Sequence, residues 1–224
     1  MQRLLQYTLA VGSLVLAVQL LAPQWTQAQS TSTERLPLTV CLMNDAGLTD
    51  DLVAKVQARV DALFTTSGIT IRWIRGGDPG RTVEERWACA HPEALQRVVI
   101  RWMNGGLLKS PNELGEAFVD ASGKGVIADL FLDKVERIRA EREIDLTLLL
   151  AHLTAHELGH LLLGGEPHSL LGLMQAKVSE DSLTKMLQGN CAFSRVEQKK
   201  MHARVKGAEL SAMLARNRAE RFGK

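Results

Sequence analysis

The stretch LTLLLAHLTAHELGHLLLGGEPHSLLGLM, residues 146–174, contains the strongest structural and chemical signal in this chain of 224 residues. Apolar residues dominate Leu146–Leu163, which predicts a long buried helix. Two glycines follow at once, and glycine commonly ends a helix because it adopts left-handed backbone angles. The pattern HExxH lies inside this helix at residues 156–160. The sequence therefore places a candidate metal site on a core helix.

The HExxH pattern puts metal-binding and acid–base groups side by side. His156 and His160 are four residues apart, so both imidazoles lie on one helix face and can bind one ion. Glu157 is rotated by about 100° from His156 and can reach water beside the metal without binding the metal. Zinc lowers the pKa of bound water, and a carboxylate can take the released proton. These residues predict a hydrolytic zinc site with Glu157 as general base.

A third ligand is expected downstream of the helix. His168 follows His160 by eight residues and is favoured, because imidazole suits zinc and a glycine-containing loop can bend back. Glu166 is the alternative ligand. His152, one turn before His156, is interpreted as a packed histidine, with contact to the site or to substrate as the alternative.

This segment resembles the metzincin group of zinc metallopeptidases, whose pattern is HExxHxxGxxH followed by a methionine-containing turn. The chain has HELGHLLLGGEPHSLLGLM, in which the glycine comes one residue later and the third histidine two residues later. Strict counting puts Glu166 at the third-ligand position. The segment is more similar still to small secreted bacterial HExxH proteins with AHELGHLLLG and then HSxxGLM. The resemblance implies a zincin-like fold in which Met174 forms a hydrophobic floor beneath the metal.

The N-terminus predicts export from the cytoplasm. Residues 1–28 combine Arg3, a mostly apolar stretch and small residues before Ala28, as in a cleaved signal peptide. A retained membrane anchor is the alternative. Residues 29–35 are predicted to be a polar linker. We expect the mature protein to be secreted or periplasmic.

An oxidising compartment allows a disulfide to persist. The chain has three cysteines, so one thiol remains after any pairing. We favour a bond between Cys41 and Cys89, with Cys191 as a buried thiol, although the spacing alone fixes no connectivity.

The remaining patterns predict an α+β domain over residues 36–194. The patterns follow the order strand–helix–strand–strand–hairpin–helix, which predicts a mixed β-sheet with packed helices and the long HExxH helix as active-site helix. Strands are expected at 36–42, 69–74 and 98–103, with a hairpin over Gly115–Leu132, and helices at 49–64, 134–142 and 146–163. The hairpin can offer an edge strand to an extended peptide, or it can be an ordinary core hairpin.

Charge limits the classes of partner. The net charge is +2, from 27 Lys and Arg against 25 Asp and Glu, which gives no electrostatic case for nucleic acid binding. A basic helix is predicted for residues 195–224; such a helix is usually a solvated face, and weak contact with an anionic envelope surface is the alternative.

The combined expectation is a secreted zinc metallopeptidase that hydrolyses peptide bonds of a peptide or protein through zinc-activated water, with Glu157 as general base and His156, His160 and His168 as ligands. The alternatives are a non-catalytic binding domain stabilised by zinc and a zinc hydrolase of a non-peptide amide.

Overall fold

A computed structural model describes residues 35–76, 82–83, 89–90, 97–105, 113–164 and 168–222. The strands are β1 (Leu36–Asn44), β2 (Ile69–Gly76), β3 (Arg97–Met103), β4 (Gly115–Val119) and β5 (Gly125–Phe131). The helices used below are α1 (Asp50–Thr65), α2 (Leu132–Arg142), α3 (Leu146–Leu163), α4 (Glu180–Leu187) and α5 (Arg195–Phe222). The expected α+β class is confirmed. The predicted signal peptide and residues 29–34 of the predicted linker lie outside the described residues.

The strands form one mixed sheet in the order β2-β1-β3-β5-β4. β1 pairs in parallel with β2 and β3, and β3 pairs in parallel with β5. β4 is antiparallel to β5 because a short turn through residues 120–124 joins them, whereas parallel neighbours need a longer crossover. β4 is therefore an edge strand, and among the described residues one side of its backbone has no strand partner.

The main core lies between one face of the sheet and the helices. Alternate strand residues point to this face, as the two-residue period of a strand requires, and they pack against α1, α3 and the first half of α5. Among the fully buried side chains are Val40 of β1, Ile100 and Trp102 of β3, and Val60 and Phe64 of α1. Burying this apolar surface is the main stabilising contribution to the fold.

Helix α3 runs through this core. It is long and apolar enough to cross a membrane, yet 72% of it is buried inside the protein, as expected for a core helix. Its ends match the sequence prediction residue for residue. The Asp145 carboxylate begins the helix by accepting a hydrogen bond from the Leu148 N–H at 2.8 Å. Gly164 ends it with a φ of +81°, which glycine adopts without strain.

The far face of the sheet contains the disulfide. Cys41 of β1 is bonded to Cys89, with their Cα atoms 5.5 Å apart, so the favoured pairing is confirmed. Cys191 is a free, buried thiol, also as expected.

Helix α4 was not expected from the sequence. It has eight residues and buries only two apolar side chains, Leu183 and Met186, so its periodicity is too short to detect. Ser179 and Ser182 form a capping box at its start, and packing against the body of the protein holds it.

The basic helix predicted from Arg195 is present as α5. The first half of α5 packs against the core through the buried side chains of Met201 and Val205. From Lys206 onwards no described side chain of this helix is buried.

Candidate metal centre

Three histidine side chains converge beside α3. The Nε2 atom of His160 lies 3.1 Å from Nε2 of His156 and 3.2 Å from Nε2 of His168. One ligand atom from each of the three residues lies within 4.8 Å of the other two. Tetrahedral zinc with Zn–N bonds of about 2.05 Å requires nitrogens about 3.3 Å apart. The three imidazoles therefore fit one zinc ion.

The tautomer of His156 suits a metal ligand. Its Nδ1 lies 2.8 Å from the carbonyl oxygen of Leu173, a contact in which only an Nδ1–H can donate. The proton is thus held on Nδ1, and the lone pair of Nε2 points into the cluster. Such a backbone acceptor also fixes the orientation of the ring.

The charge state of the cluster also suits a metal. Burial lowers the pKa of His156, and burial together with the neighbouring His156 and His168 rings lowers the pKa of His160 to about 4. Both imidazoles are therefore neutral at pH 7, the form in which imidazole binds a metal.

Residues 168–175 fold into a turn that carries His168, called the histidine turn below. The Ser169 N–H donates to the Met174 carbonyl at 2.8 Å, and Gly172 has a φ of +83° inside this turn. Met174 is buried beneath α3, where a Cβ atom added to Gly159 would lie 2.5 Å from its sulfur. The turn can approach the helix this closely because residue 159 is glycine. The floor position implied for Met174 agrees with this packing.

Glu157 lines the same cleft as the three rings and lies against the edge strand. It is 5% exposed, and its Oε1 is so close to β4 that a Cβ atom on Gly115 would lie 2.6 Å from it. Within the described part of the chain, no donor forms a hydrogen bond with this carboxylate. Burial, and then the negative charges of Glu116 and Asp129, raise the pKa of Glu157 to about 8. In the absence of metal, Glu157 is therefore largely protonated at pH 7.

A cleft of about 700 Å³ opens over the histidines and Glu157. This volume is in the range of small-ligand and peptide pockets. One wall is β4, and the opposite walls are α2, α4 and the segment that joins the histidine turn to α4. Its apolar lining includes Ile138, Leu153, Val178 and Met186. Arg142 of α2 forms an ion pair with Glu180 of α4 and joins these two walls.

The histidine before the motif lies at the same cleft. His152 is 6% exposed, and its Nδ1–H donates to the Leu148 carbonyl at 2.9 Å. Burial lowers its pKa, so the ring is neutral. These features agree with a packed histidine at the edge of the site. The alternative ligand Glu166 lies outside the described residues.

Sequence reasoning missed the residues that support the site. Gly115 carried no recognisable pattern, because its role is contact with a residue of another element. The Leu173 carbonyl is backbone and leaves no trace in the sequence. Glu197, which contacts the histidine turn through Ser169, had a detectable signal: Ser194 to Glu197 has the S-x-x-E spacing of a capping box.

Solved structures of three other proteins are similar to this chain. The zinc-dependent peptidase from Methanocorpusculum labreanum has 15% sequence identity and a TM-score of 0.50. The alignment covers 72% of this chain and 99% of the peptidase chain. Archaemetzincin from Methanopyrus kandleri has 14% identity and a TM-score of 0.47. Its alignment covers 75% of this chain and 96% of the archaemetzincin chain. Metalloproteinase-II from Bacteroides fragilis has 17% identity and a TM-score of 0.45, covering 77% and 54%.

No protein-family model and no curated protein sequence matches the chain. The first of these structures confirms the expected class of the fold: the chain has a mixed sheet with packed helices, similar to the fold of the Methanocorpusculum labreanum protein.

Proposed function

We propose that this protein is a zinc-dependent metallopeptidase. The observation that carries the proposal is the convergence of three histidine nitrogens beside a buried carboxylate, in an open cleft next to an edge strand. A purely structural zinc site would have four protein ligands and no need for an unpaired carboxylate. The fold shared with a zinc-dependent peptidase supports the same reaction class.

In this proposal His156, His160 and His168 hold the zinc. Zinc bound there supplies Lewis acidity, which makes water more acidic and polarises a substrate carbonyl. Glu157 accepts the proton of the attacking water on its carboxylate and then gives it to the amine of the leaving group. Because Glu157 is buried and has no protein donor among the described residues, its carboxylate is poorly solvated and is a stronger base than an exposed glutamate.

The edge strand positions the substrate. Gly115, Glu116 and Ala117 of β4 line the cleft, and in the part of the chain that the structure describes no strand pairs with the outer side of β4. An extended peptide can add to such an edge through backbone hydrogen bonds, which hold it in register whatever its side chains are. This geometry favours a peptide or protein substrate over a non-peptide amide.

Two variants and two controls test the proposal on the chain that begins at Gln29. Glu157→Gln keeps the shape of the side chain, so it should retain zinc while peptide hydrolysis falls about 10²- to 10⁴-fold. His168→Ala should lose most of its zinc. Glu209→Gln and His202→Ala make similar changes on α5 away from the cleft, and they should match the wild type. Zinc content and cleavage of a mixed peptide library are the measurements.

The outcomes separate the candidate functions. Hydrolysis by zinc-loaded Glu157→Gln at the wild-type rate would contradict the role of Glu157. Wild-type protein that binds zinc and cleaves no peptide would instead support a zinc-stabilised binding domain. Loss of zinc from His202→Ala would show that the histidine effect is not specific to the site.

The compartment and the partners belong to the same proposal. We propose a secreted or periplasmic enzyme, released after cleavage of a signal peptide over residues 1–28, which acts on peptides and has no nucleic acid partner. The disulfide between Cys41 and Cys89 supports an oxidising compartment. Weak contact of the basic α5 with an anionic envelope surface is part of this proposal, supported by its excess of Lys and Arg.

A further inference from the structure

The turn that carries His168 is held by a buried carboxylate outside the HExxH helix. Glu197, in the first turn of α5, is 6% exposed. One of its carboxylate oxygens, Oε2, accepts a hydrogen bond from the Ser194 N–H at 2.6 Å, and the Ser194 hydroxyl accepts from the Glu197 N–H at 3.3 Å. These two bonds form a capping box, which begins the helix.

The second oxygen of this carboxylate is not used by the cap. Glu197 Oε1 accepts a short hydrogen bond from the hydroxyl of Ser169, the residue directly after His168. The same serine donates its N–H to Met174, so its hydroxyl and its backbone are both fixed. The start of α5 is therefore tied to the turn that carries the third histidine.

A second set of bonds supports the turn from the same side. The Leu173 N–H donates to the Ala192 carbonyl at 3.0 Å, while the Leu173 carbonyl accepts from His156. A Cβ atom on Gly172 would lie 2.7 Å from the Ala192 oxygen, so this approach is as close as the backbone permits. The chain just before α5 thus holds one end of the turn, and Glu197 holds the other.

Glu197 is a buried acidic side chain, and its hydrogen bonds offset the cost of that burial. A buried carboxylate is costly unless it is paired or well hydrogen-bonded, and within the described part of the chain Glu197 forms no ion pair. The hydrogen bonds from the Ser169 hydroxyl and the Ser194 N–H therefore satisfy this buried carboxyl group.

We infer that Glu197 is a positioning residue for the metal centre: through Ser169 it fixes the turn that carries His168. This inference rests on the zinc site of the proposed function, but it concerns metal binding and not hydrolysis. Groups that orient metal ligands typically change metal affinity by about 10- to 100-fold.

Zinc affinity is the first measurement, by competition with a chromophoric chelator on the chain from Gln29. Ser169→Ala removes the link and keeps the cap of α5, and it should weaken zinc binding about 10-fold. Glu197→Gln keeps the shape but replaces one acceptor oxygen with an NH₂ donor, so the side chain can no longer accept from both Ser169 and the Ser194 N–H, and it should weaken binding by at least as much. The double variant should bind no more weakly than Glu197→Gln alone, because the serine acts through the carboxylate.

A matched control separates positioning from general loss of stability. Ser179→Ala removes the equivalent capping serine of α4, which has no hydrogen bond to the histidine turn. It should lower the melting temperature and leave zinc affinity unchanged. The visible spectrum of the cobalt-substituted protein adds a readout of geometry: the Ser169 and Glu197 variants should change it, and Ser179→Ala should not.

Each outcome decides a separate point. Wild-type affinity in both Ser169→Ala and Glu197→Gln, or equal weakening in Ser179→Ala, would overturn the inference and leave the proposed function standing. Wild-type protein that binds zinc, with weakened variants but no hydrolysis in any of them, would support the inference and count against the peptidase. A wild-type chain that binds no zinc would overturn both.

Discussion

Gly115→Ala tests the contact between the edge strand and the general base. The new Cβ would lie 2.6 Å from Glu157 Oε1 and 2.9 Å from the Asp129 carbonyl oxygen, whereas ordinary contacts begin at 3.4 Å. The carbonyl belongs to β5 and is held by the sheet, so the Glu157 side chain must move by on the order of 1 Å. Displacement of a catalytic group by about 1 Å can reduce a rate about 10²-fold.

The expected result is a fall of about 10²-fold in kcat for peptide cleavage, which corresponds to about 2.7 kcal/mol of lost transition-state stabilisation. Zinc content should not change, because Glu157 is not a ligand in the proposed site. Stability should change little, since replacing glycine by alanine reduces the entropy of the unfolded chain by about 0.4–1 kcal/mol and this gain offsets the strain at Asp129.

Gly207→Ala is the matched control for this experiment. It makes the same change in α5, at a glycine whose added Cβ would have no neighbour within 4 Å. It should keep wild-type activity and raise stability by up to about 1 kcal/mol, because alanine favours a helix. If Gly115→Ala kept the wild-type kcat, or if it lost zinc together with activity, the proposed contact with the general base would be wrong.

Three further predictions concern the turn, the pH dependence and the disulfide. Gly159→Ala places a Cβ 2.5 Å from the Met174 sulfur. This variant should push the histidine turn outwards and weaken zinc binding about 10-fold in a chelator competition. Unchanged zinc affinity would refute this packing argument. In the zinc-free protein the folded state holds the Glu157 proton up to a pKa of about 8, whereas the ordinary pKa of a free glutamate side chain is 4.5. The free energy of unfolding of the wild type should therefore fall as pH rises between these values. In urea unfolding, Glu157→Gln should be more stable than the wild type by a few kcal/mol at about pH 8. Below about pH 5 it should show no such gain. Reduction of the bond between Cys41 and Cys89, which are separated by 48 residues, should lower the free energy of unfolding by about 4 kcal/mol, and an unchanged urea midpoint would contradict that estimate.

The local elements followed from local patterns. The bounds of α3 were predicted correctly because an acidic cap, a continuous apolar stretch and a glycine all lie within its own sequence. The strand positions were correct to within a few residues for the same reason. Helix α4 was missed because its position depends on packing against other elements and not on its own eight residues.

In the candidate site, too, the residues of one element could be placed from the sequence, whereas a residue of a separate segment could not. The placement of His156, Glu157 and His160 follows from the geometry of one helix, so the sequence by itself determined their relative positions, and it predicted the roles that we propose for them. The arrival of His168 depends on how a separate turn folds back, which glycines permit but do not specify.

Only the tertiary structure decided what surrounds these groups. The contact of Gly115 with Glu157, the Leu173 carbonyl at His156 and the link from Glu197 to Ser169 each join residues from different elements. Such contacts depend on how whole strands, helices and turns pack together, and periodicity along one segment carries no information about that packing. The sequence therefore determined which groups are candidates for the chemistry, and the packing of distant segments decided how they are held and buried.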